Sequence, residues 1–472
     1  MKPSTDPIEL DAETMRRLGY RVVDVLVERI AGLDAQPVWQ RASRAEMEER
    51  LGEPPPERPQ EFERVLGRLL EDVLPYAQRT DHPRFFAYIP GCPTWPSVLG
   101  DFLAGGFNVF QGTWLGGAGP SEVELVVLDW FKEWIGYPEE AQGLLVSGGS
   151  EANLTALACA RATRLGERFG DAVIYLSSQA HSSVERAARV LGFRPDQLRA
   201  VAVDGGYRMR PDALSEAVDD DVGAGRRPFL VAANAGATST GAIDPLPELA
   251  ELCAERGLWL HVDGAYGGFA ALTERGRAWL AGIEGADSVT LDPHKWLSQP
   301  WGTGCLLVRD GRLLVDAFHI LPDYMQDTRV RGAEVNFGER GIQLTRPARG
   351  LKIWLSLQLF GVAAFRRAMD TALDLAVLAQ ERIERSPSLE LLSPATLGIV
   401  CFRRLVEGAD EAALELANAA LVTGLAESGV GFVSSTRLDG LYAVRLCVEN
   451  HRSRAEDVER VLGWLESAPA PA

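Results

Sequence analysis

The sequence predicts an α/β protein built on a mostly parallel sheet, and three observations carry that expectation. Between about residues 120 and 310, short apolar runs closed by Gly, Asp or Ser alternate with stretches whose apolar residues recur at helical spacing. The 472 residues suffice for more than one folding unit. The composition, 46% hydrophobic and 24% charged, is that of an ordinary globular protein and excludes fibrous, coiled-coil and wholly disordered chains.

Taken in order, residues 10–30 carry Leu18, Val22, Val25, Leu26 and Ile30 at helical spacing, and a second helical stretch at 62–74 follows Pro54, Pro55 and Pro56. These helices have too little core of their own and are expected to pack on the main domain or on a partner chain. The uncharged run 102–121 is about membrane length, but Asn108, Gln111 and six glycines make it a poor span, so it reads as a loop-rich segment lining a site. Strands are expected at 143–146, 172–176, 229–233, 258–262, 288–291 and 304–308, with helices such as 151–164 and 246–255 between them. Residues 319–341 lack apolar periodicity and are expected to form a lid. Beyond it, helices at 351–359, 373–383, 414–425 and 458–465 alternate with strands at 398–402 and 442–448, which indicates a smaller C-terminal α/β domain. The expected division is 1–94, 95–350 and 351–472, with 468–472 a loose tail.

A formal charge of −18 repels a phosphate backbone, so nucleic acid is not an expected partner. Six scattered cysteines without a CxxC pair, and no leader-like start, point to reduced thiols and the cytoplasm, with no membrane association. Only four cations are lysine (Lys2, Lys132, Lys295 and Lys352), which leaves amine chemistry few candidates.

Five segments could carry chemistry. Residues 144–153 (LLVSGGSEAN) read as strand, glycine turn and helix, a geometry that offers unpaired N–H groups to a phosphate, with Gly148 and Gly149 permitting close approach and Ser150 able to cap or donate. Neither GxGxxG nor GxxxxGK[ST] is present, so nicotinamide dinucleotide and ATP are not favoured, and no metal is called for. Asp263, after the strand of WLHVDGAYGG, stands at the carboxyl edge of the sheet and needs a cationic or donor partner; a protonated pyridine nitrogen is one, and the small Ala265 leaves space for a flat ring. Lys295 follows His294 at the end of another strand, 32 positions after Asp263, and a buried lysine can attack an aldehyde. His181 and Thr238 lie just beyond further strands, where a ring could be contacted. A rival from another class is a serine hydrolase using Ser150, Asp263 and His294, which occur in the chain order of an α/β-hydrolase.

Together these segments resemble the pyridoxal-phosphate-dependent group II amino acid decarboxylases, in a pattern nearest to the aromatic-L-amino-acid decarboxylases. The likeness spans nearly the whole chain through HPRFFAY (82–88), SGGSEAN, QAHSS, HVDGAYG and HKW, in that order. It implies the aspartate aminotransferase-like fold type I, pyridoxal 5′-phosphate as cofactor, and conversion of an L-amino acid, foremost an aromatic one, to its amine and carbon dioxide. Histidine or glutamate as substrate, and aldehyde synthase chemistry, stand as alternatives. It further implies Lys295 as the covalent anchor of the cofactor aldehyde, Asp263 as partner of the ring nitrogen and His181 as the residue stacked on the ring. Ala265 and Thr238 would contact the ring, Gly149 and Ser150 the phosphate, and His294 would lie near phosphate and substrate. Tyr324, 29 residues after Lys295, matches a mobile-loop tyrosine that returns a proton to the substrate carbon. A homodimer is implied, with residues 1–94 packed across it and active sites at the subunit interface. Two features depart from the pattern. Asp292 replaces an asparagine near the phosphate, where a carboxylate repels unless it turns away or pairs with a cation. Ile89 and Gly112 replace aromatic residues of the substrate wall, which predicts a pocket that is roomier or shaped for another ring, whereas Trp114 is kept; Thr345 hints at a phenol or imidazole substrate.

Overall fold

The computed structural model describes residues 8–320 and 322–469; Leu321 of the expected lid and the last three residues of the tail lie outside it. Twelve strands are present among the described residues: β1 Phe85–Phe86, β2 Gln142–Val146, β3 Ala172–Ser177, β4 Leu198–Val201, β5 Arg227–Asn234, β6 Trp259–Gly264, β7 Ser288–Leu291, β8 Gly304–Val308, β9 Leu389–Thr396, β10 Ile399–Arg404, β11 Phe432–Leu438 and β12 Leu441–Cys447. Seven form one sheet in the order β2-β8-β7-β6-β5-β3-β4. Its strands run parallel except β8, which is antiparallel to both neighbours. The buried runs Leu144–Val146, Ala172–Tyr175 and Phe229–Ala233 are apolar because helices cover the sheet.

The other sheet, in the order β1-β11-β12-β10-β9, is antiparallel save for the β1–β11 pair. β1 comes from the HPRFFAY segment, which acts as a staple. Arg84 Nε donates to the carbonyl of Val430 (2.7 Å), Tyr88 N–H to Ser434 Oγ (3.1 Å) and Asn450 Nδ2 to the carbonyl of His82 (3.0 Å). Stacked Phe85 and Phe432 rings, 5.3 Å apart, fill the space beneath it.

Several expectations need correction. The run 102–121 is not loop: it lies mostly in the helices Trp95–Phe107 and Trp114–Trp134, capped by Thr94 and Thr113 and separated by Asn108 in the left-handed region (φ 47°). Its glycines serve packing as well as turning, since a Cβ on Gly116 would stand 2.7 Å from the Phe110 ring. Residues 319–341 are only partly irregular. Short turns at Asp323–Thr328 and Phe337–Glu339 frame an exposed stretch, whereas Phe337 is fully buried and Asn336 Nδ2 donates to the carbonyl of Thr328 (2.8 Å). Strands β4, β9 and β11 escaped the sequence reading because partly exposed residues such as Arg199, Glu390 and Ser435 break their apolar runs.

The carboxyl end of β2 is held by a buried ion pair. Arg346 Nη2 and Nη1 donate to Glu124 Oε1 and Oε2 at 2.7 and 3.1 Å, and Glu124 also accepts from Leu145 N–H (2.8 Å) and Gln111 Nε2 (2.9 Å). Removing one partner leaves an uncompensated buried charge. Arg346→Met is therefore expected to destabilise the chain by about 3–5 kcal/mol, read as a lower denaturant midpoint; an unchanged midpoint contradicts this role.

Candidate active site

Parallel strands send their carboxyl ends to one edge of the large sheet, where ligands of such sheets bind. The ends of β2, β3, β5, β6 and β7 open there onto a cavity of about 270 Å³. It is lined by Gly149, Ser150, His181, Thr238, Asp263, Ala265, His294 and Lys295, so eight residues singled out from sequence, drawn from distant segments, meet in one place. Tyr324 is not among the lining residues: its side chain is 82% exposed on the turn Asp323–Thr328.

A buried hydrogen-bond network orients the polar groups of this cavity. Asn153, one turn into the helix Gly149–Arg164, donates through Nδ2 to Asp263 Oδ2 and to Ser183 Oγ, both at 2.8 Å. Its Oδ1 accepts from Thr290 Oγ1 (2.7 Å) and His261 Nε2 (3.0 Å). An amide oxygen only accepts, so His261 carries its proton on Nε2, and Nδ1 is left to accept from Ser288 Oγ (2.8 Å), which itself accepts from Trp259 Nε1 (2.9 Å). Burial pushes the His261 pKa down and keeps this tautomer neutral. On the far side, Ser183 Oγ donates a hydrogen bond to His181 Nδ1 (2.7 Å), which also accepts from Ser183 N–H (3.3 Å), so Nε2 of His181 bears the proton. His181 thus combines the helix-capping role with a place on the cavity wall. The second oxygen of Asp263, Oδ1, accepts from Ala265 N–H (3.1 Å).

Lys295 Nζ lies 3.1 Å from Asp292 Oδ2. Burial works against the ammonium, yet Asp292 and Asp263 more than offset it and raise the pKa above the ordinary lysine value. His294 donates from Nδ1 to the carbonyl of Thr303 (2.7 Å) and turns Nε2 toward Asp292 Oδ2 at 3.6 Å. Burial lowers its pKa. The hydrolase alternative is not assembled, because Asp263 is engaged by Asn153 and Ala265 while the nitrogens of His294 face Thr303 and Asp292.

The residues expected to form the substrate wall lie away from the cavity of their own chain. A Cβ on Gly112 would meet the carbonyl oxygen of Leu344 at 2.1 Å and the Phe110 ring at 2.6 Å, so within its own chain this glycine permits close packing. Trp114 N–H donates to Asn336 Oδ1 (2.9 Å), Thr345 is exposed, and none of the three lines the cavity of its own chain.

Sequence reasoning missed the role of Asn153 and of Arg445. Arg445 is buried in β12, donates from Nε to the carbonyl of Thr238 (2.8 Å) and from Nη1 to the carbonyl of Tyr88, and so joins the small sheet to the cavity rim. An arginine inside an apolar strand was the available signal.

Comparison with known proteins decides the family. The profile of the pyridoxal-dependent decarboxylase conserved domain matches residues 45–405. The chain belongs to the pyridoxal-dependent decarboxylase family. An aromatic-L-amino-acid decarboxylase of Bacillus atrophaeus is 42% identical over 97% of this chain and 96% of its own length. An L-tyrosine/L-DOPA decarboxylase of Lophophora williamsii is 31% identical over 93% of this chain and 90% of its own. The crystal structure of Oryza sativa TDC with PLP and tryptamine superposes with a TM-score of 0.92 at 26% identity, covering 98% of both chains, which makes the architecture fold type I.

The decarboxylase cavity fits pyridoxal phosphate on its own features. The start of the helix Gly149–Arg164 offers N–H groups to an anion. Side chains are excluded around it: a Cβ on Gly149 would lie 3.0 Å from the Ala265 Cβ, and one on Gly304 2.5 Å from the Gly148 Cα. Asp263, Lys295 and His181 supply an acceptor, an amine and a flat imidazole on the same cavity. In this decarboxylase, Asn153→Ala strips donors from Asp263 and Ser183, and an unsatisfied buried group costs about 1–3 kcal/mol, roughly five- to 150-fold in pyridoxal phosphate Kd. Titration of the cofactor-free protein by absorbance measures it; unaltered affinity contradicts the orienting role.

Proposed function

We propose that this decarboxylase removes the α-carboxyl group of an aromatic L-amino acid, releasing the amine and carbon dioxide. The activities named for the Bacillus and Lophophora relatives support the aromatic substrate. The observation that carries the site assignment is the cavity that joins Lys295, Asp263 and His181 at the sheet edge. Lys295 anchors the cofactor aldehyde. Asp263, aimed by Asn153, would hold a proton on the pyridine nitrogen, and His181, Ala265 and Thr238 would contact the ring. The N–H groups of Gly149 and Ser150 hold the phosphate, beside His294. Bound there, pyridoxal phosphate supplies the π system that accepts the electron pair left by the departing carboxylate.

Tyr324 returns a proton to the substrate Cα once closure of the loop around it brings its hydroxyl to the cavity. Its exposed position in a single chain fits a residue that must be delivered. A second copy of the chain is part of the same reading. The helix Ala12–Ala31 buries no residue, and Phe107 and Leu115 are 79% and 73% exposed, an apolar surface that a homodimer would cover. Gly112, Trp114 and Thr345 would then face the neighbouring cavity; sedimentation at the mass of one chain, 51.4 kDa, contradicts this. Among the described residues no helix is long and apolar enough to cross a membrane. The six cysteines are buried and unpaired, which supports a cytoplasmic setting.

The test is carbon dioxide release from a panel of tyrosine, tryptophan, phenylalanine, DOPA, histidine and glutamate, with release from the aromatic members expected. Lys295→Ala is expected to abolish both turnover and the visible absorption of lysine-bound cofactor; retention of either removes it as anchor. Tyr324→Phe is expected to lose amine formation and yield aldehyde and ammonia under oxygen, and an undiminished amine yield takes Tyr324 out of the reaction.

A further inference from the structure

The helix that would take the cofactor phosphate carries an anion of its own at that end. Glu151 is the third residue of the helix Gly149–Arg164 and lines the cavity. A carboxylate in the first turn of a helix is drawn to the N–H groups at its start, and a glutamate at this position can fold back toward them. The N–H groups of Glu151 and Ala152 are spent on the Gly148 carbonyl (3.0 and 3.1 Å). Those of Gly149 and Ser150, assigned above to the phosphate, are therefore open to a competing anion from the same turn.

The carboxylate is instead held on other donors. Glu151 Oε2 accepts from the N–H and Oγ of Ser147, at 2.8 and 2.6 Å, and from Gln343 Nε2 at 3.3 Å. Ser147 precedes the helix, and Gln343 comes from a segment 192 residues away. Arg349 in turn holds Gln343: its Nη2 donates to Gln343 Oε1 (3.1 Å), and its Nε donates to the carbonyl of Gly302 (3.1 Å). A guanidinium only donates and a carboxylate only accepts, so the Gln343 amide has a single direction between them. Arg349 is buried, and its charge acts on Glu151 as well. The segment that carries Gln343 is itself fixed, since Arg346 pairs with Glu124 and a Cβ on Gly341 would stand 2.8 Å from Leu144 Cδ1.

We infer that Gln343 is a positioning residue for cofactor binding: gripped by Arg349, it restrains the Glu151 carboxylate and leaves the helix start to the phosphate. Gln343 does not line the cavity of its own chain and acts through Glu151. Loss of its amide frees the carboxylate to compete for the N–H groups of Gly149 and Ser150, and the penalty falls on ligands that carry a phosphate. The inference rests on the helix start being the phosphate site.

The experiment is absorbance titration of the cofactor-free full chain with pyridoxal phosphate and, separately, with pyridoxal, which lacks the phosphate. Gln343→Leu is expected to raise the Kd of pyridoxal phosphate about fivefold, the worth of one hydrogen bond, and to leave that of pyridoxal unchanged. Adding Glu151→Gln, which removes the competing charge, is expected to return the Kd of pyridoxal phosphate to the wild-type value. An unchanged Kd in Gln343→Leu overturns the inference. So does an equal rise for both ligands, which marks a general loss of structure, or a rise that persists in the double variant. If Gln343→Leu does not fold, Glu151→Gln alone decides: it is expected to bind pyridoxal phosphate at least as tightly as the wild type does, and weaker binding overturns the inference. The phosphate site is read separately, because wild type that binds pyridoxal as tightly as pyridoxal phosphate refutes the helix start as that site and takes the inference with it.

Discussion

The amide of Asn153 is the constraint on which the site depends. Its two faces divide the work: Nδ2 aims Asp263 and, through Ser183, His181, while Oδ1 is locked by Thr290 and His261. Because a primary amide cannot exchange donor and acceptor roles without breaking these bonds, the protonation pattern of the surrounding residues follows from one side chain. The helix Gly149–Arg164 therefore contributes twice, once by setting its start, uncapped by any side chain, on the cavity and once by carrying Asn153 one turn further on against β6 and β7.

The second sheet contributes positioning instead of chemistry. β1, β11 and β12 bring Arg445 to the cavity rim, where it clamps the carbonyls of Tyr88 and Thr238. Segments more than 350 residues apart in the chain are thereby fastened beside one ring-sized space. Tyr266, which lines the cavity, makes a second link, its hydroxyl accepting from the Gly398 N–H (3.0 Å) beside the small sheet.

Charge balance around Lys295 is the remaining device. The cavity concentrates Asp263, Asp292 and Glu151 around a single lysine, while burial keeps His294 and Glu449 from carrying charge. Asp292 and Asp263 thus favour the ammonium form of this lysine against the cost of its burial.

Much of this was legible in the chain. The alternation of apolar runs and helical stretches determined the α/β class, and strand ends followed by small or polar residues marked Gly149, His181, Thr238, Asp263 and Lys295, because a parallel sheet sends such ends to one edge. What the linear pattern left open was decided by contacts between distant segments. The helical state of 102–121 depends on caps and on glycine–ring packing, the edge position of β4 on its pairing with β3, and the orienting role of Asn153 on four partners up to 137 residues away. Periodicity reports which residues face a core; it cannot report which buried donor meets which acceptor, and that pairing, set only when the chain closes, selects the charge and direction of every group in the cavity.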